Sequence, residues 1–133
     1  MDSNLYRQEL LLLFKNMKHK REIKNASIQM DGINASCGDT ITLYLKVNEG
    51  KISDISFTGE SCMLSQISAE LLCEKLSGLD IEQVSNLSDE DFFKEIDIHP
   101  SPGRVKCMQL PLKTVNNMLS KISIDPTKYY EIP

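Results

Sequence analysis

Apolar residues recur along this chain at two spacings, and the switches between them mark out its elements. Leu5, Leu10, Leu13, Phe14 and Met17 fall at helical spacing and predict an amphipathic helix over residues 3–17. Ser27-Ile28-Gln29-Met30 then alternates as a short strand. Thr40 to Val47 alternates cleanly, with Ile41, Leu43, Leu45 and Val47 on one face. Asn48-Glu49-Gly50 reads as a turn, and Lys51 to Phe57 returns as the next strand of an antiparallel meander. From Ser61 the period becomes helical again, carried by Leu64, Ile67, Leu71, Leu72 and Leu76, with Gly78 as the stop. Ser61 is the expected cap of that helix, which places Cys62 in its first turn.

Further on, Ser88-Asp89-Glu90-Asp91 resembles a capping box opening a short helix through about Ile96. His99-Pro100-Ser101-Pro102-Gly103 reads as a rigid, non-helical connector. The last helix is the most regular. Val105, Met108, Leu112, Val115, Leu119 and Ile122 recur at three and four, a stripe suited to packing on a sheet. Pro111 removes one amide donor and frees the carbonyl of Cys107, so a kink or late start is expected there. From about Asp125 to Pro133 the chain looks irregular.

Length and composition narrow the class. A chain of 133 residues with no internal repeat and no dividing linker is expected to be one domain, residues 1–133, with a core that needs no disulfide staples. An apolar content of 41% beside 26% charged residues is ordinary for a soluble globular protein. The net charge of −4 argues against a general nucleic-acid binder. Leu10 to Phe14 is too short to span a bilayer or serve as a signal core, so a cytoplasmic protein without a membrane partner is expected. In that compartment four cysteines point to metal or sulfur chemistry before disulfides. Lys15, Lys18, His19, Lys20, Arg21 and Lys24 form a basic run with two readings, a solvated helix end or a docking patch for an acidic partner.

Three of the cysteines open patterned elements. Cys37 stands in Asn34-Ala35-Ser36-Cys37-Gly38-Asp39, Cys62 in Gly59-Glu60-Ser61-Cys62, and Cys107 in Gly103-Arg104-Val105-Lys106-Cys107. That placement suits thiolates displayed at element ends. In an antiparallel pair the start of one strand lies beside the end of its partner, so Cys37 and Cys62 are expected neighbours. With Asp39, the three cysteines make a four-ligand set for a thiophilic metal. No close Cys-x-x-Cys knuckle of the structural zinc kind is present, and unrelated free thiols remain the competing reading. A carboxylate is the weaker ligand for a soft metal, which suits a site that must release its cargo. Three thiolates and a carboxylate stay anionic around either Zn²⁺ or a [2Fe–2S]²⁺ core, so nearby cations are expected, and Arg104 and Lys106 flank Cys107. Cys73, mid-helix, reads as a buried small hydrophobe. His99 is an alternative nitrogen ligand from the Pro-rich connector.

Cys37-Gly38-Asp39, the run Gly59-x-x-Cys62-x-x-Ser65-x-x-Ser68, and Gly103-Arg104-Val105-Lys106-Cys107 together resemble the signatures of the U-type iron–sulfur scaffold proteins: IscU, the NifU N-terminal domain and SufU. Leu5-Tyr6-Arg7-Gln8 followed by Phe14-Lys15-Asn16 is similar as well, and the resemblance spans about residues 4–122 in the family's order. It implies an α+β domain, a three-stranded antiparallel sheet packed against helices, with Cys37, Asp39, Cys62 and Cys107 converging at one exposed end. Lys106 stands where IscU-type members carry histidine and resembles the SufU branch, yet the gap between the second and third cysteines lacks the SufU insertion. Ala35 replaces a usual proline, Ser61 a glycine, and Ile67 a small residue. Leu110-Pro111-Leu112-Lys113 is superficially similar to the IscU chaperone-binding motif, but it follows the third cysteine and reads as part of the last helix.

The resemblance implies a scaffold and sulfur carrier rather than an enzyme in the ordinary sense. Such a protein accepts persulfide sulfur from a cysteine desulfurase, builds a labile [2Fe–2S] cluster and passes it to apo iron–sulfur proteins or carriers. Cys37 is the acceptor in SufU-type members and Cys107 in IscU-type members, with Arg104 and Lys106 as supporting cations. A zinc-dependent SufU-like sulfurtransferase and a zinc-stabilised non-catalytic adaptor are the alternatives. A monomer or weak homo-oligomer is expected.

Overall fold

A computed structural model describes residues 3–35, 38–96 and 102–122. The elements run α1 (Ser3–Lys15), β1 (Ile28–Asn34), β2 (Asp39–Asn48), β3 (Lys51–Thr58), α2 (Met63–Leu76), α3 (Ile81–Ser85), α4 (Asp89–Ile96) and α5 (Val105–Ile122). The expected irregular tail from about Asp125 lies outside the described residues.

The three strands form one antiparallel sheet in the order β1-β2-β3. Glu49 and Gly50 connect β2 to β3 with φ of 53° and 78°, and Asn48 pairs with Lys51. Positive φ at both turn residues matches the twist of the strands, which is why glycine serves there. The alternation of β2 buries Ile41, Leu43, Leu45 and Val47 as expected. In β3 the buried residues Ile52 and Ile55 are three apart, because Lys46 pairs with Asp54 but Val47 with Ile52. The extra residue is a β-bulge that returns Ile55 and Phe57 to the core face.

β1 runs on to Asn34, well past the expected end at Met30. Asp31, Gly32 and Asn34 weaken its apolar alternation, and pairing with β2 sustains the strand instead. α1 ends at Lys15, two residues before the expected Met17, and Asn16 donates through Nδ2 to Leu12 O at 2.8 Å. The short helix α3 was not anticipated, although Asp80 and Gln83 form a reciprocal capping box at its start. At α4 the expected Ser88 cap is present, with its Oγ accepting from Asp91 N at 3.1 Å.

One face of the sheet carries the core. Leu72 and Leu76 of α2, Phe92 of α4, and Leu112, Val115 and Leu119 of α5 pack with the β2 and β3 side chains. α5 continues through Pro111 from Val105, so the late start is not seen; of the expected connector, Pro102 and Gly103 belong to a 3-10 turn (Pro102–Arg104), while His99, Pro100 and Ser101 lie outside the described residues. A lost helical bond at Pro111 is tolerated because α2 approaches α5 there. α2 stops as expected: Ser77 N donates to Cys73 O at 3.1 Å, and Gly78, φ 85°, donates to Ile52 O at 2.8 Å.

Lys15 closes α1 as an exposed helix end, and the rest of the basic run is a non-helical segment anchored to the fold through His19 and Arg21. His19 donates its backbone N–H to Glu70 Oε1 at 2.8 Å and sets Nδ1 2.6 Å from Oε2 of the same buried carboxylate. Phe57 N donates to His19 O at 2.9 Å, and Arg21 pairs with Asp54 through two bonds of 2.8 and 3.1 Å. Lys15, Lys18, Lys20 and Lys24 are exposed.

Candidate metal and sulfur site

Three elements meet where β2 begins. Past Thr58 the chain leaves β3 at Gly59, φ 137°, where a Cβ would lie 2.5 Å from Thr40 O. Only glycine fits so close to the neighbouring strand in that conformation. Thr40 N donates to Glu60 O at 3.1 Å, which holds the following residues alongside Asp39. The turn into α2 then brings Cys62 against the Asp39 carboxylate.

Cys62, not Ser61, is the N-cap residue of α2, and α2 has no side-chain cap of its own. Gln66 occupies Ser61 O through Nε2 at 2.8 Å, and among the described residues Ser61 Oγ is buried without a hydrogen-bond partner. The cap comes from another strand: Cys62 N donates to Asp39 Oδ1 at 3.1 Å. A carboxylate at a helix N-terminus is favoured by the macrodipole as well as by the bond.

Cys107 comes from the first turn of α5. In a regular helix the amide of residue 111 would donate to Cys107 O, but Pro111 has none. Ser65 donates to that carbonyl at 2.5 Å, and one turn along Ser68 donates to Met108 O at 2.7 Å. The oxygen ligand of Asp39 and the sulfurs of Cys62 and Cys107 consequently lie within 4.8 Å of one another. Asp39 is buried, Cys62 half-buried and Cys107 only 6% exposed. Burial of Cys107 corrects the expectation of a thiol displayed at an exposed end. The two serine bonds join α2 to the backbone of α5 at this turn, where the Cys107 side chain is covered.

Cys37 and His99 lie outside the described residues, as does the side chain of Arg104. Lys106 is exposed beside Cys107. Cys73 is fully buried, and burial next to Glu70 pushes its thiol well above the ordinary range, consistent with a core residue. A second grouping, His19, Glu70 and Glu74, also comes within ligating distance, but Glu70 already holds His19 in two bonds. Sequence reasoning saw Ser65 and Ser68 as part of a motif and gave them no task. Their three-residue spacing from Cys62 along one helix face, and the carbonyl freed by Pro111, were the available signals.

One hard oxygen and two thiols with mutual spacings under 4.8 Å fit a tetrahedral soft metal, whose ligands stand about 3.8 Å apart at ordinary zinc–sulfur distances. Fold and site together define an α+β domain that gathers a carboxylate and thiols at the junction of a sheet end and two helices. The chain belongs to the NifU-like N terminal domain family, whose model matches residues 5–124. It is 36% identical to the iron–sulfur cluster assembly scaffold protein IscU of Thermotoga maritima, over 90% of this chain and 95% of that one. Its identity to the zinc-dependent sulfurtransferase SufU of Bacillus subtilis is 30%, over 88% of this chain and 90% of that one. The crystal structure of the SUF-system protein FiSufU from Fervidobacterium islandicum AW-1 superposes with a TM-score of 0.68 at 31% identity, covering 83% of this chain and 93% of that one. Among the described residues no helix is long and apolar enough to cross a membrane.

Proposed function

We propose that this protein is an iron–sulfur cluster assembly scaffold acting as one domain, which takes persulfide sulfur from a cysteine desulfurase and assembles and hands on a labile [2Fe–2S] cluster. The observation that carries this reading is the convergence of Asp39, Cys62 and Cys107 from three separate elements. Cys37, two residues before Asp39, completes the ligand set. In the transfer step an acceptor thiolate attacks the sulfane sulfur of the donor persulfide, the donor S–S bond breaks, and the donor leaves as a thiolate. The burial of Cys107 supports Cys37 as first acceptor, with Cys107 serving as a ligand. Lys106 and Arg104 offset the anionic charge of the set. Reducing two sulfane sulfurs to sulfide takes four electrons, two from ferrous ions and two from an external reductant. The assembled cluster is cargo, and its recipients are apo iron–sulfur proteins or carriers.

One observation favours a second reading, a zinc-dependent sulfurtransferase. Three ligand atoms within 4.8 Å suit a single ion, whereas a two-iron cluster spreads its ligands over both irons. Lys106 at the position before the third cysteine points the same way.

Anaerobic reconstitution with a desulfurase, cysteine, ferrous iron and a reductant separates these readings. Thiolate-to-iron absorption bands that pass to an apo-acceptor support the scaffold. Tight zinc with persulfide on Cys37 supports the transferase. Absence of persulfide on every cysteine, with no stimulation of the desulfurase, overturns both and leaves a zinc-stabilised adaptor.

A further inference from the structure

Ser65 is fully buried, and its hydroxyl carries a single proton between two acceptors on different elements. Cys107 O lies 2.5 Å away and Asp39 Oδ2 3.4 Å away. The other oxygen of the same carboxylate holds Cys62 N at 3.1 Å. One small side chain therefore stands between two metal-ligand candidates, while the partner oxygen of one of them fixes the third. Pro111 is part of the arrangement, because it withholds the amide that a regular helix would direct at Cys107 O.

We propose that Ser65 is the positioning residue of this site: its hydroxyl, bonded to Cys107 O and 3.4 Å from Asp39 Oδ2, holds the Cys107 backbone beside the Asp39 carboxylate and so presets the donors for one metal. Ser65 is not itself a ligand. The proposal rests on the donor-set reading above, but not on any sulfur traffic. Ser68 supplies the internal comparison. It makes the same kind of bond to α5 one turn along, at 2.7 Å to Met108 O, and its bond is to that carbonyl rather than to Asp39. A role limited to clamping α2 to α5 would make the two serines equivalent. A positioning role separates them.

Cobalt(II) serves as the probe, titrated anaerobically into the full reduced chain in competition with a chromophoric chelator. Ser65→Ala is expected to weaken cobalt binding by about 10- to 100-fold, the range usual for outer hydrogen bonds to metal ligands. Thiolate-to-cobalt charge-transfer intensity at saturation should equal that of the parent, since no ligand has been removed. Ser68→Ala should stay within about threefold of the parent in affinity, even where its melting temperature falls as far. Ser65→Ala/Pro111→Ala returns an amide donor to Cys107 O from within α5. It should regain thermal stability but not cobalt affinity, and it carries the test if the single variant does not fold.

Equal losses in Ser65→Ala and Ser68→Ala, or parent-like affinity in Ser65→Ala or in the double variant, overturn the proposal. Lower saturating charge-transfer intensity in Ser65→Ala also overturns it, because a ligand has then been lost. A parent chain that binds no cobalt defeats the donor-set reading itself, and the proposal falls with it.

Discussion

Removing the Asp39 carboxylate should push the metal-free protein and the loaded protein in opposite directions. In the apo chain Asp39 does structural work: Oδ1 accepts from Cys62 N at 3.1 Å and caps a helix that has no cap of its own. A hydrogen bond to a charged group is worth roughly 1.5–3 kcal/mol, and the favourable helix-dipole interaction lies within the same figure. Asp39→Ala is therefore expected to cost about 2 kcal/mol. For 133 residues the unfolding entropy is near 0.28 kcal/mol/K, so the melting temperature should fall by about 7 °C. Asp39→Asn keeps an oxygen for Cys62 N and should lose less than half of that. On the proposed function the expectation reverses once a cluster is bound, since a carboxylate oxygen would be the weak ligand for iron among thiolates. Asp39→Ala should then hold its cluster longer and transfer it more slowly. Circular dichroism melts of the reduced, chelator-treated chain measure the first effect, and decay of the charge-transfer bands on adding an apo-acceptor measures the second. Unchanged melting in Asp39→Ala would refute the capping argument, and parent-like transfer would refute the weak-ligand argument.

Other expectations concern parts of the fold that support the site. A Cβ at Gly32 would collide with Thr114 Oγ1, which donates to Leu110 O at 2.8 Å, so Gly32→Ala should destabilise by about 1–3 kcal/mol. Thr114→Ala should relieve part of that loss in a double-mutant cycle by urea denaturation, and an unaltered coupling energy of zero would show that α5 does not press on β1 there. Cys73 should resist alkylation in the native state, because burial pushes its thiol up, while Cys62 reacts; mass spectrometry after a short pulse of iodoacetamide distinguishes them, and equal labelling contradicts the burial. The Arg21 bonds lower the pKa of Asp54, so this pair stabilises the fold above the ordinary carboxylate range, and the contribution is lost as pH falls through the depressed value. Both partners are exposed, which limits the effect to about 0.5 kcal/mol. Asp54→Asn should flatten the acid limb of a stability–pH curve by no more than that.

Much of the architecture was legible in local pattern. The β2 alternation, the β2–β3 turn, the Gly78 stop and the α5 stripe each rest on periodicities that neighbours in sequence impose on one another. Pro111 even announced a carbonyl in need of a donor. What pattern could not supply was the donor, because Ser65 is 42 residues away along the chain from Cys107. The same limit explains the misplaced cap. Ser61 has the right chemistry for an N-cap, but Asp39 reaches Cys62 N from the neighbouring strand and the helix begins one residue later. The exposure expected for Cys107 failed for a related reason, since a helix-start position does not say which neighbour will close over it.

By itself, then, the sequence determined which residues bring chemistry: the cysteines, Asp39, and the glycines and proline that shape the chain around them. Side-chain identity and local periodicity are properties of short stretches, and they survive without the rest of the fold. Tertiary structure alone decided that Asp39, Cys62 and Cys107 face one another, which thiol is covered, and which hydroxyl joins their elements. Those outcomes depend on contacts between segments tens of residues apart, where packing of α2 and α5 on a twisted sheet chooses among polar partners that are equivalent in sequence.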